Sequence, residues 1–403
     1  MINDKNIKIL FIHNTLPWYR VPLFEYLSSK LNIKYIFTRN YLINRFYSQE
    51  QDLNKVMGIN YVLLKEKYIT LNLMRLMFKE DYDLVIAPPF DSFRQCIDSS
   101  LVFIIAKIRR KPIIYFGEKW ELRNSKIPNK IPLITKIKKE VKSGVKKTLE
   151  RIFIPSTDAC ISSGTRSRQY FISLGVKPDK IFIAPDSSEV KQNKEESFDV
   201  RKKYGISADT KLILYFGRIV RTKGADFLIK AFSELEKERK DIFLLICGDG
   251  DFKNECEELA KNLQVKNIKF TGLISSEQRS IYLSQCDIFV LPNSFYNGQV
   301  EAWGLTLNEA MYFGKPVIAT TATGASYDLI KNGVNGYMID YSNVSSLYNA
   351  LKILVSDNKL RAQMGLNSKK IIEENFSTER MGEGFMETFS YALKHKFSRR
   401  KSI

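Results

Sequence analysis

The feature that most constrains the fold is a regular alternation of short apolar segments with longer charged segments along the 403 residues. The apolar segments have the length and composition of buried β-strands, and the charged segments have those of helices. Strands that alternate with helices predict parallel sheets covered on both faces. Two series of strands are predicted, the first at 8–12, 33–37, 84–87, 112–116, 159–162 and 181–184, and the second at 212–217, 243–248, 268–273, 288–292 and 316–320.

A polar, charged stretch after residue 186 separates the two series and reads SSEVKQNKEESFDVRKKYG. It predicts a linker that leads into a helix. We therefore predict an α/β protein with a doubly wound Rossmann-like domain at 1–190, a second at 191–380, and a crossover helix with a basic tail at 381–403. The two domains are expected to face each other across a cleft, and ligands of such domains bind at the carboxyl ends of the strands.

The net charge is +19 and is unevenly distributed. Residues 1–190 hold 32 lysines and arginines against 18 aspartates and glutamates. Such an excess indicates an anionic partner, namely a membrane surface, a nucleic acid or a phosphorylated substrate, although charge for solubility alone is the alternative. No zinc finger, RNA-binding aromatic signature or basic helix-turn-helix is apparent, so we expect no nucleic acid partner.

Histidine and cysteine are too sparse and scattered for a metal or disulfide framework. There are two histidines and five cysteines without a close pair, which is typical of a reducing compartment. No run of 18 apolar residues predicts a spanning helix, and the N-terminus is typical of a first strand rather than a signal peptide. Two D-x-D matches, Asp81/Asp83 and Asp249/Asp251, fall at turns, where aspartate is common for structural reasons. We expect no metal and no cofactor.

The run EAWGLTLNEAMYFGKPVIATT, from Glu301 to Thr321, carries the first chemical motif. Glu301 and Glu309 stand eight positions apart, and Gly304 between them precedes a predicted helix. Helix N-termini present free N–H groups and a partial positive charge, which suits a diphosphate, and glycine permits close approach. The two carboxylates can accept hydroxyl groups of the same ligand. Taken alone, two glutamates are also consistent with surface positions.

The second motif is YFGRIVRTKGADFLIKAF at 215–232. Arg218 and Lys223 follow a predicted strand that ends at Gly217. Two cations at the carboxyl end of a strand can clamp a diphosphate and stabilise it as a leaving group. A solvated basic loop is the alternative interpretation.

Together the motifs resemble those of the retaining nucleotide-sugar glycosyltransferases of family 4 (group 1), which have the GT-B architecture. The family pattern E-x7-E is matched by Glu301, Trp303, Gly304 and Glu309, and the pattern GR…KG is matched by Gly217, Arg218, Lys223 and Gly224. The resemblance implies that Glu301 binds the donor sugar and Glu309 the ribose. It also implies that Leu305 and Thr306 offer backbone N–H groups to the diphosphate, that Arg218 and Lys223 bind it, and that Ile274 frames the base.

The resemblance further implies a function and a mechanism. The chain is expected to move a sugar from a UDP- or GDP-sugar to a glycan or lipid-linked acceptor at the cytoplasmic membrane face, in the assembly of lipopolysaccharide, capsule or glycolipid. The anomeric configuration would be retained without a protein nucleophile or a metal, with Arg218, Lys223 and Glu301 as the catalytic residues. The alternative is a catalytically weak homologue that serves as a scaffold subunit. A dinucleotide dehydrogenase is disfavoured, because Gly248-Asp249-Gly250 lacks the third glycine of its fingerprint.

The N-terminal half is expected to bind the acceptor. Arg20, in HNTLPWYRVP, and Glu118, in YFGEKWE, are the predicted contacts. A packing or capping role is an equal alternative for Glu118, and His13 is interpreted as structural.

A basic helix is predicted at 131–152. One apolar stripe runs along it, with lysines opposite, and the stripe comprises Ile134, Ile137, Val141, Val145, Leu149 and Ile152. Two interpretations remain open. The helix packs on its own sheet and exposes a solvated face, or its basic face docks on anionic lipid.

Overall fold

The computed structural model describes residues 5–39, 59–64, 69–121, 133–188 and 198–401, with the backbone alone for 133–140, 276 and 396–401. The strands are β1 (Lys8–His13), β2 (Asn32–Phe37), β3 (Asn60–Leu63), β4 (Leu84–Ala87), β5 (Ile113–Gly117), β6 (Ala159–Ser162), β7 (Ile181–Ile183), β8 (Lys211–Phe216), β9 (Ile242–Cys247), β10 (Ile268–Gly272), β11 (Ile288–Leu291), β12 (Val317–Thr320) and β13 (Gly336–Ile339). The helices are α1 (Val21–Lys30), α2 (Ile69–Lys79), α3 (Phe93–Ile108), α4 (Leu133–Phe153), α5 (Thr165–Leu174), α6 (Val200–Tyr204), α7 (Ala225–Glu238), α8 (Lys253–Asn262), α9 (Ser276–Gln285), α10 (Leu305–Tyr312), α11 (Ser326–Leu329), α12 (Val344–Ser356), α13 (Asn358–Asn375) and α14 (Thr378–Lys401).

The chain divides into two compact units. The described residues of 1–119, 128–186 and 378–403 form the first unit, and those of 120–127 and 187–377 form the second. Helix α14 therefore belongs to the first unit although it follows the second in sequence. Of the predicted linker, residues 189–197 lie outside the described residues, and α6 is the helix predicted to follow it.

Each unit is built on one parallel sheet. The first sheet has the order β3-β2-β1-β4-β5-β6-β7, and the second has the order β10-β9-β8-β11-β12-β13. The chain therefore reverses its direction of travel between β1 and β4 in the first unit, and between β8 and β11 in the second. Such a switch point leaves a crevice at the carboxyl ends of the two strands concerned, which is where doubly wound domains bind ligands. The predicted fold class is confirmed.

The local sequence explains these elements. Central strands such as β4, β11 and β12 read LVIA, IFVL and VIAT and are buried at every position, because helices cover both faces of a parallel sheet. Several helices begin at a side chain that caps them. Ser92, Ser275 and Asp357 each accept a hydrogen bond from the backbone N–H three residues later, at the starts of α3, α9 and α13.

Two strands were missed from the sequence, β3 and β13. Both lie at the outer edge of their sheets, and both are only partly buried. An edge strand is covered less completely, so its sequence lacks the continuous apolar run that marks a central strand.

Helix α14 packs on α1 in the first unit. A Cβ at Gly382 would lie 2.3 Å from Tyr26 Cδ1, so this glycine permits the close approach of the two helices. Phe385 and Phe389 of α14 join Phe24 and Leu27 of α1 in one buried core cluster. None of the helices in the described residues is both long and apolar enough to cross a bilayer.

Candidate active site

The switch point of the second sheet brings two loops together. The loop after β8 contains Gly224 at φ +65°, where a Cβ would lie only 2.0 Å from the Pro292 carbonyl oxygen after β11. Ser294 N–H also donates to the Thr222 carbonyl at 2.8 Å. Because position 224 has no side chain, the two loops pack backbone to backbone. Lys223 therefore lies beside the segment that follows β11.

Lys223 and Glu301, both predicted site residues, form an ion pair. Their side chains are 14% and 26% exposed, so the pair is sheltered but still reaches solvent. Backbone bonds fix the position of Glu301, whose N–H donates to the Ala322 carbonyl and whose carbonyl accepts from Gly324 N–H, both at 3.0 Å. The carboxyl edge of the sheet therefore presents a cation and a carboxylate that lie close together and are reached by solvent.

Arg218 lies in the same loop but is held differently. Its carbonyl accepts a hydrogen bond from the Tyr215 hydroxyl at 2.7 Å, and its side chain is exposed. In the part of the chain that the structure describes, Arg218 makes no ion pair. Gly217 donates its N–H to the Cys247 carbonyl at 3.0 Å, so the loop leaves β8 in a fixed direction.

Gly304 allows helix α10 to start where it does. Its φ is +105°, and a Cβ would lie 2.9 Å from Leu291 Cδ2 and 3.0 Å from Thr323 Cγ2. Leu305 and Thr306 follow as the first two residues of the helix. The first N–H groups of a helix have no partner within it, so they form the anion-binding end that the sequence predicts here.

Trp303 is buried next to the start of α10. Its side chain is 3% exposed, and its ring N–H donates to Asn308 Oδ1 at 2.9 Å. It packs in the second unit's core, near Phe376. The indole holds the start of α10 from beneath, and the predicted contact of Trp303 with the donor stays a prediction.

Glu309 lies on α10 and is 1% exposed. Arg279 of α9 lies 2.6 Å from its Oε2, and the Ser188 hydroxyl donates to its Oε1 at 3.0 Å. Burial raises the pKa of Glu309, and the neighbouring guanidinium opposes that shift. A carboxylate has about four lone-pair sites, so these two partners leave room for the hydroxyl groups of a ligand.

Three residues of this site were missed from the sequence: Ser188, Arg279 and Trp120. Arg279 also stacks over the Phe216 ring at 5.1 Å. Trp120 donates its ring N–H to the carbonyls of Glu301 at 2.9 Å and Ala302 at 3.2 Å. No motif marks these residues, and Trp120 is separated from Glu301 by 181 positions.

Ile274 follows β10 and is partly buried against the core of the second unit. One aspartate of each D-x-D match has a partner within its own unit: Asp81 pairs with Lys8 at 2.8 Å, and Asp249 accepts from Gly250 N–H at 2.7 Å. Among the described residues, no three histidine, cysteine, aspartate or glutamate side chains gather into a possible metal site.

The carboxyl edge of the first sheet carries a buried charge network. Arg20 pairs with Glu118 after β5 and with Asp186 after β7, the latter at 2.9 Å. Its guanidinium also donates to Met381 Sδ at 3.4 Å. The Arg20 side chain is 3% exposed, and its predicted contact with the acceptor stays a prediction. Arg20 holds Glu118, which is 30% exposed and remains accessible to a ligand.

His13 stands beside this network at the end of β1. Its Nδ1 lies 3.0 Å from the Thr15 carbonyl, and its ring lies 6.2 Å from that of Phe116. Burial lowers the pKa of His13 to about 4, and Arg20 acts in the same direction. Burial raises the pKa of Asp186 to about 7, against the opposing charge of Arg20.

The geometry of the second unit can now be compared with known proteins. Residues 196–371 match the family model of glycosyl transferases group 1. This part of the chain is therefore similar to the glycosyl transferases of group 1. The matched range contains both motifs, with Lys223, Glu301 and Glu309.

Curated relatives agree with this assignment. An uncharacterized glycosyltransferase of Methanocaldococcus jannaschii is 27% identical over 213 residues, which are 53% of each chain. The GDP-mannose-dependent monoacylated alpha-(1-6)-phosphatidylinositol monomannoside mannosyltransferase of Corynebacterium glutamicum is 34% identical over 191 residues, or 47% of this chain and 49% of the relative. The chain thus spans about half the length of these curated relatives.

Solved structures share the fold over nearly the whole chain. The HepE protein of Anabaena, crystallised with UDP and glucose, matches with a TM-score of 0.72 at 17% identity, over 95% of this chain and 99% of that chain. A glycosyltransferase of Rickettsia africae matches with a TM-score of 0.72 at 20% identity, over 96% and 99%. At these identities the likeness concerns the fold, and it confirms the two-domain GT-B class.

Proposed function

We propose that this chain is a retaining glycosyltransferase that moves a sugar from a UDP- or GDP-sugar to a glycan or lipid-linked acceptor. The observation that carries the proposal is the Lys223–Glu301 pair beside the N-terminus of α10, with Glu309 inside that helix. One edge of a sheet thus offers a cation and helix N–H groups for a diphosphate, and two carboxylates for hydroxyl groups.

The donor is proposed to separate Lys223 from Glu301 when it binds. The diphosphate takes Lys223 and the N–H groups of Leu305 and Thr306, while Glu301 turns to the sugar hydroxyls. Arg218, exposed in the same loop, adds a second cation. Glu309 accepts the ribose hydroxyls and stays oriented by Arg279. Names of similar proteins support a nucleotide-sugar donor, since one relative is GDP-mannose-dependent and the HepE structure contains UDP.

The transfer is proposed to proceed on one face of the sugar. The bond between the anomeric carbon and the diphosphate oxygen breaks, and the acceptor oxygen bonds to the same face. The acceptor's proton passes to the departing phosphate. Lys223 and Arg218 stabilise the charge that develops on that phosphate. No protein base and no metal take part in this scheme.

The acceptor is proposed to reach the enzyme at the inner face of the cell membrane, where Glu118 contacts it. The cation excess of residues 1–190 supports an anionic surface. Of the lysines predicted to face lipid, Lys142 and Lys147 are exposed on α4, whereas the side chains of Lys136, Lys138 and Lys139 lie outside the described ones. The relative named as acting on a phosphatidylinositol mannoside supports an acceptor of this kind.

A thermal-shift screen over UDP-, GDP- and ADP-sugars tests the donor site. The true donor should stabilise the protein by roughly 2.7 kcal/mol at a hundredfold excess over Kd. Lys223→Ala should remove most of that shift, because the diphosphate loses its sheltered cation. Lys237→Ala is the matched control, since Lys237 is an exposed lysine of α7 whose ion pair within the described residues is with Glu234.

Two results would contradict the proposal. The first is the absence of stabilisation by any nucleotide-sugar, and the second is an equal shift for Lys223→Ala and the control. Retention is tested separately, by NMR of the anomeric proton in the product. A product of opposite configuration to the donor would refute the one-face mechanism and leave the donor assignment intact.

A further inference from the structure

A tight β-hairpin lies in the loop between β11 and α10. Tyr296 and Gln299 exchange both of their backbone hydrogen bonds, at 3.2 and 2.9 Å. The two residues between them, Asn297 and Gly298, have φ values of +50° and +80°. Positive φ at both central positions is typical of a type I′ turn, for which Asn-Gly is a preferred sequence. The segment therefore has a defined shape, and we call residues 295–300 the 295–300 hairpin.

The two sides of this hairpin differ. Residues that face each other across an antiparallel pair project to the same side, so Tyr296 and Gln299 share one side, and Phe295 and Val300 share the other. The second side packs on the unit, since the Phe295 ring lies 6.4 Å from that of Tyr341. On the first side, Tyr296 is 40% exposed and Gln299 is exposed as well. Within the described ranges, neither the Tyr296 hydroxyl nor the Gln299 amide has a hydrogen-bond partner.

The exposed side of the hairpin is also the side of Glu301. Gln299 and Glu301 are both bridge residues, which pair with Tyr296 and Thr323 respectively. The side chains of an extended backbone repeat their direction every two residues, so Gln299 and Glu301 project to the same side. The carboxylate that is proposed to bind the donor sugar therefore has the hairpin's exposed side chains as neighbours.

The turn that carries Lys223 lies against the same hairpin. Arg221 and Lys223 belong to one 3-10 turn after β8. The Arg221 guanidinium lies 5.9 Å from the centre of the Tyr296 ring and 4.2 Å from that of Phe252. A cation placed over an aromatic ring is attracted to it and supports its orientation. Tyr296 is therefore held beside the Lys223–Glu301 pair.

The chemistry of these exposed groups suits a sugar. The apolar C–H face of a sugar ring can pack on an aromatic ring, and a primary amide both donates hydrogen bonds to hydroxyl groups and accepts them. Lys223 is proposed to bind the diphosphate, so it is not available to a second anion. Glu301 would repel a negatively charged sugar. The exposed side of the hairpin therefore fits a neutral sugar that carries hydroxyl groups.

We propose that the 295–300 hairpin selects the donor sugar. The Tyr296 ring packs on the C–H face of a neutral hexose, and the Gln299 amide binds one of its hydroxyl groups, while the hairpin leaves the nucleotide untouched. The inference rests on the proposed donor site and deepens it, because it assigns recognition of the sugar to a segment that lies outside both sequence motifs.

Titration calorimetry of the full chain tests the assignment, with UDP compared with UDP-glucose and GDP compared with GDP-mannose. Tyr296→Ala should weaken binding of the nucleotide-sugar about tenfold, because the apolar contact with the ring is lost. Binding of the corresponding nucleoside diphosphate should not change. Gln299→Ala should weaken nucleotide-sugar binding about fivefold, as expected for one uncharged hydrogen bond.

Two further variants separate a contact from a structural effect. Tyr296→Phe keeps the ring and should bind the nucleotide-sugar like the wild type. Tyr312→Ala is the matched control, since Tyr312 is 37% exposed and lies at the far end of α10 from its first N–H groups. This control should leave both affinities unchanged.

The charge of the sugar is tested on the wild type. UDP-glucuronic acid differs from UDP-glucose by a carboxylate on the sugar, so it should bind more weakly. Tighter binding of UDP-glucuronic acid would overturn the assignment of a neutral sugar.

The role of the hairpin is overturned if Tyr296→Ala binds the nucleotide-sugar like the control. It is also overturned if this variant loses affinity equally for the nucleotide-sugar and the nucleoside diphosphate, since the hairpin would then act on the nucleotide or on the fold of the loop. A wild type that binds neither UDP nor GDP would instead refute the proposed donor site, so the two failures are distinguishable.

Discussion

The carboxyl edges of the two sheets carry the same kinds of charged residue but hold them in opposite ways. In the second unit, Lys223 and Glu301 pair at a position where both still reach solvent. In the first unit, Arg20 and Asp186 pair with side chains only 3% and 2% exposed. The Lys223–Glu301 pair stays accessible to a ligand, whereas the Arg20–Asp186 pair is enclosed.

The difference shows that ions at a switch point do not by themselves make a binding site. Arg20 joins Glu118 after β5, Asp186 after β7 and Met381 on α14, so three segments that are distant in sequence meet on one guanidinium. Arg20 therefore acts as a structural tie. Lys223 has a single described partner, Glu301, and a diphosphate can replace it at that position.

The largest effect expected from this comparison is on stability. At pH 8, above the pKa of Asp186, Arg20→Met should lower the free energy of unfolding by about 3–5 kcal/mol, because the buried Asp186 carboxylate loses its cation. The control is Arg221→Met in the second unit, whose partner Glu255 is exposed, and this change should cost about 0–1 kcal/mol. Calorimetry of both variants measures the difference. Equal losses would mean that the buried network has no special role.

The next effect is on donor affinity. Glu309→Ala should weaken nucleotide-sugar binding by about 1.5–3 kcal/mol, because ribose hydroxyls lose a charged acceptor and Arg279 loses this carboxylate. Glu118→Ala, at the other edge, should leave donor affinity unchanged. Titration calorimetry with the donor found in the screen measures the affinity of both variants. A Glu309→Ala variant with wild-type affinity would show that the second edge is not the donor site.

A smaller effect concerns the pH dependence of the first edge. The pKa of Asp186 is raised to about 7, so this carboxyl group ionises at a higher pH in the folded state than in the unfolded state. The folded state therefore loses stability as pH rises from about 4 to 7. The pKa of His13 is lowered to about 4, so stability is lost as pH falls from 6.5 towards 4. The two residues therefore change the stability in opposite directions over nearly the same pH interval.

A variant at Asp186 should reveal the pH dependence of stability that His13 causes, and a variant at His13 should reveal the one that Asp186 causes. Asp186→Asn should melt at progressively lower temperature as pH falls from 6.5 to 4, and His13→Asn should do so as pH rises from 4 to 7. Melting temperatures over this range provide the measurement. If melting temperature depends on pH in the same way in both variants and the wild type, the two residues do not have opposing effects on stability.

The smallest expected effect is that of metal removal. A chelator should leave donor-dependent transfer unchanged, because Lys223 and the N-terminus of α10 supply the positive charge. The measurement is the transfer rate with EDTA and after addition of Mg²⁺. A rate that collapses with EDTA and returns with Mg²⁺ would show that the second edge is incomplete without a cation.

Much of the second unit could be predicted from the sequence, because its signals are local. Gly224 and Gly304 mark positions where a side chain would clash, and the residues they position, Lys223 and Glu301, precede them by one and three residues. The strands β3 and β13 escaped prediction because edge strands need not be continuously apolar. Arg279, Ser188 and Trp120 escaped because their partners are chosen by packing between separate segments.

The sequence alone determined the two parallel sheets and the positions of the charged motifs, since periodicity and spacing along the chain set both. The tertiary structure decided that Arg20 is enclosed while Lys223 stays open, and that the stripe of Val141, Val145 and Ile152 faces outward. Burial is the reason: how much water a side chain meets depends on which distant segments pack over it, and no pattern within one segment encodes that.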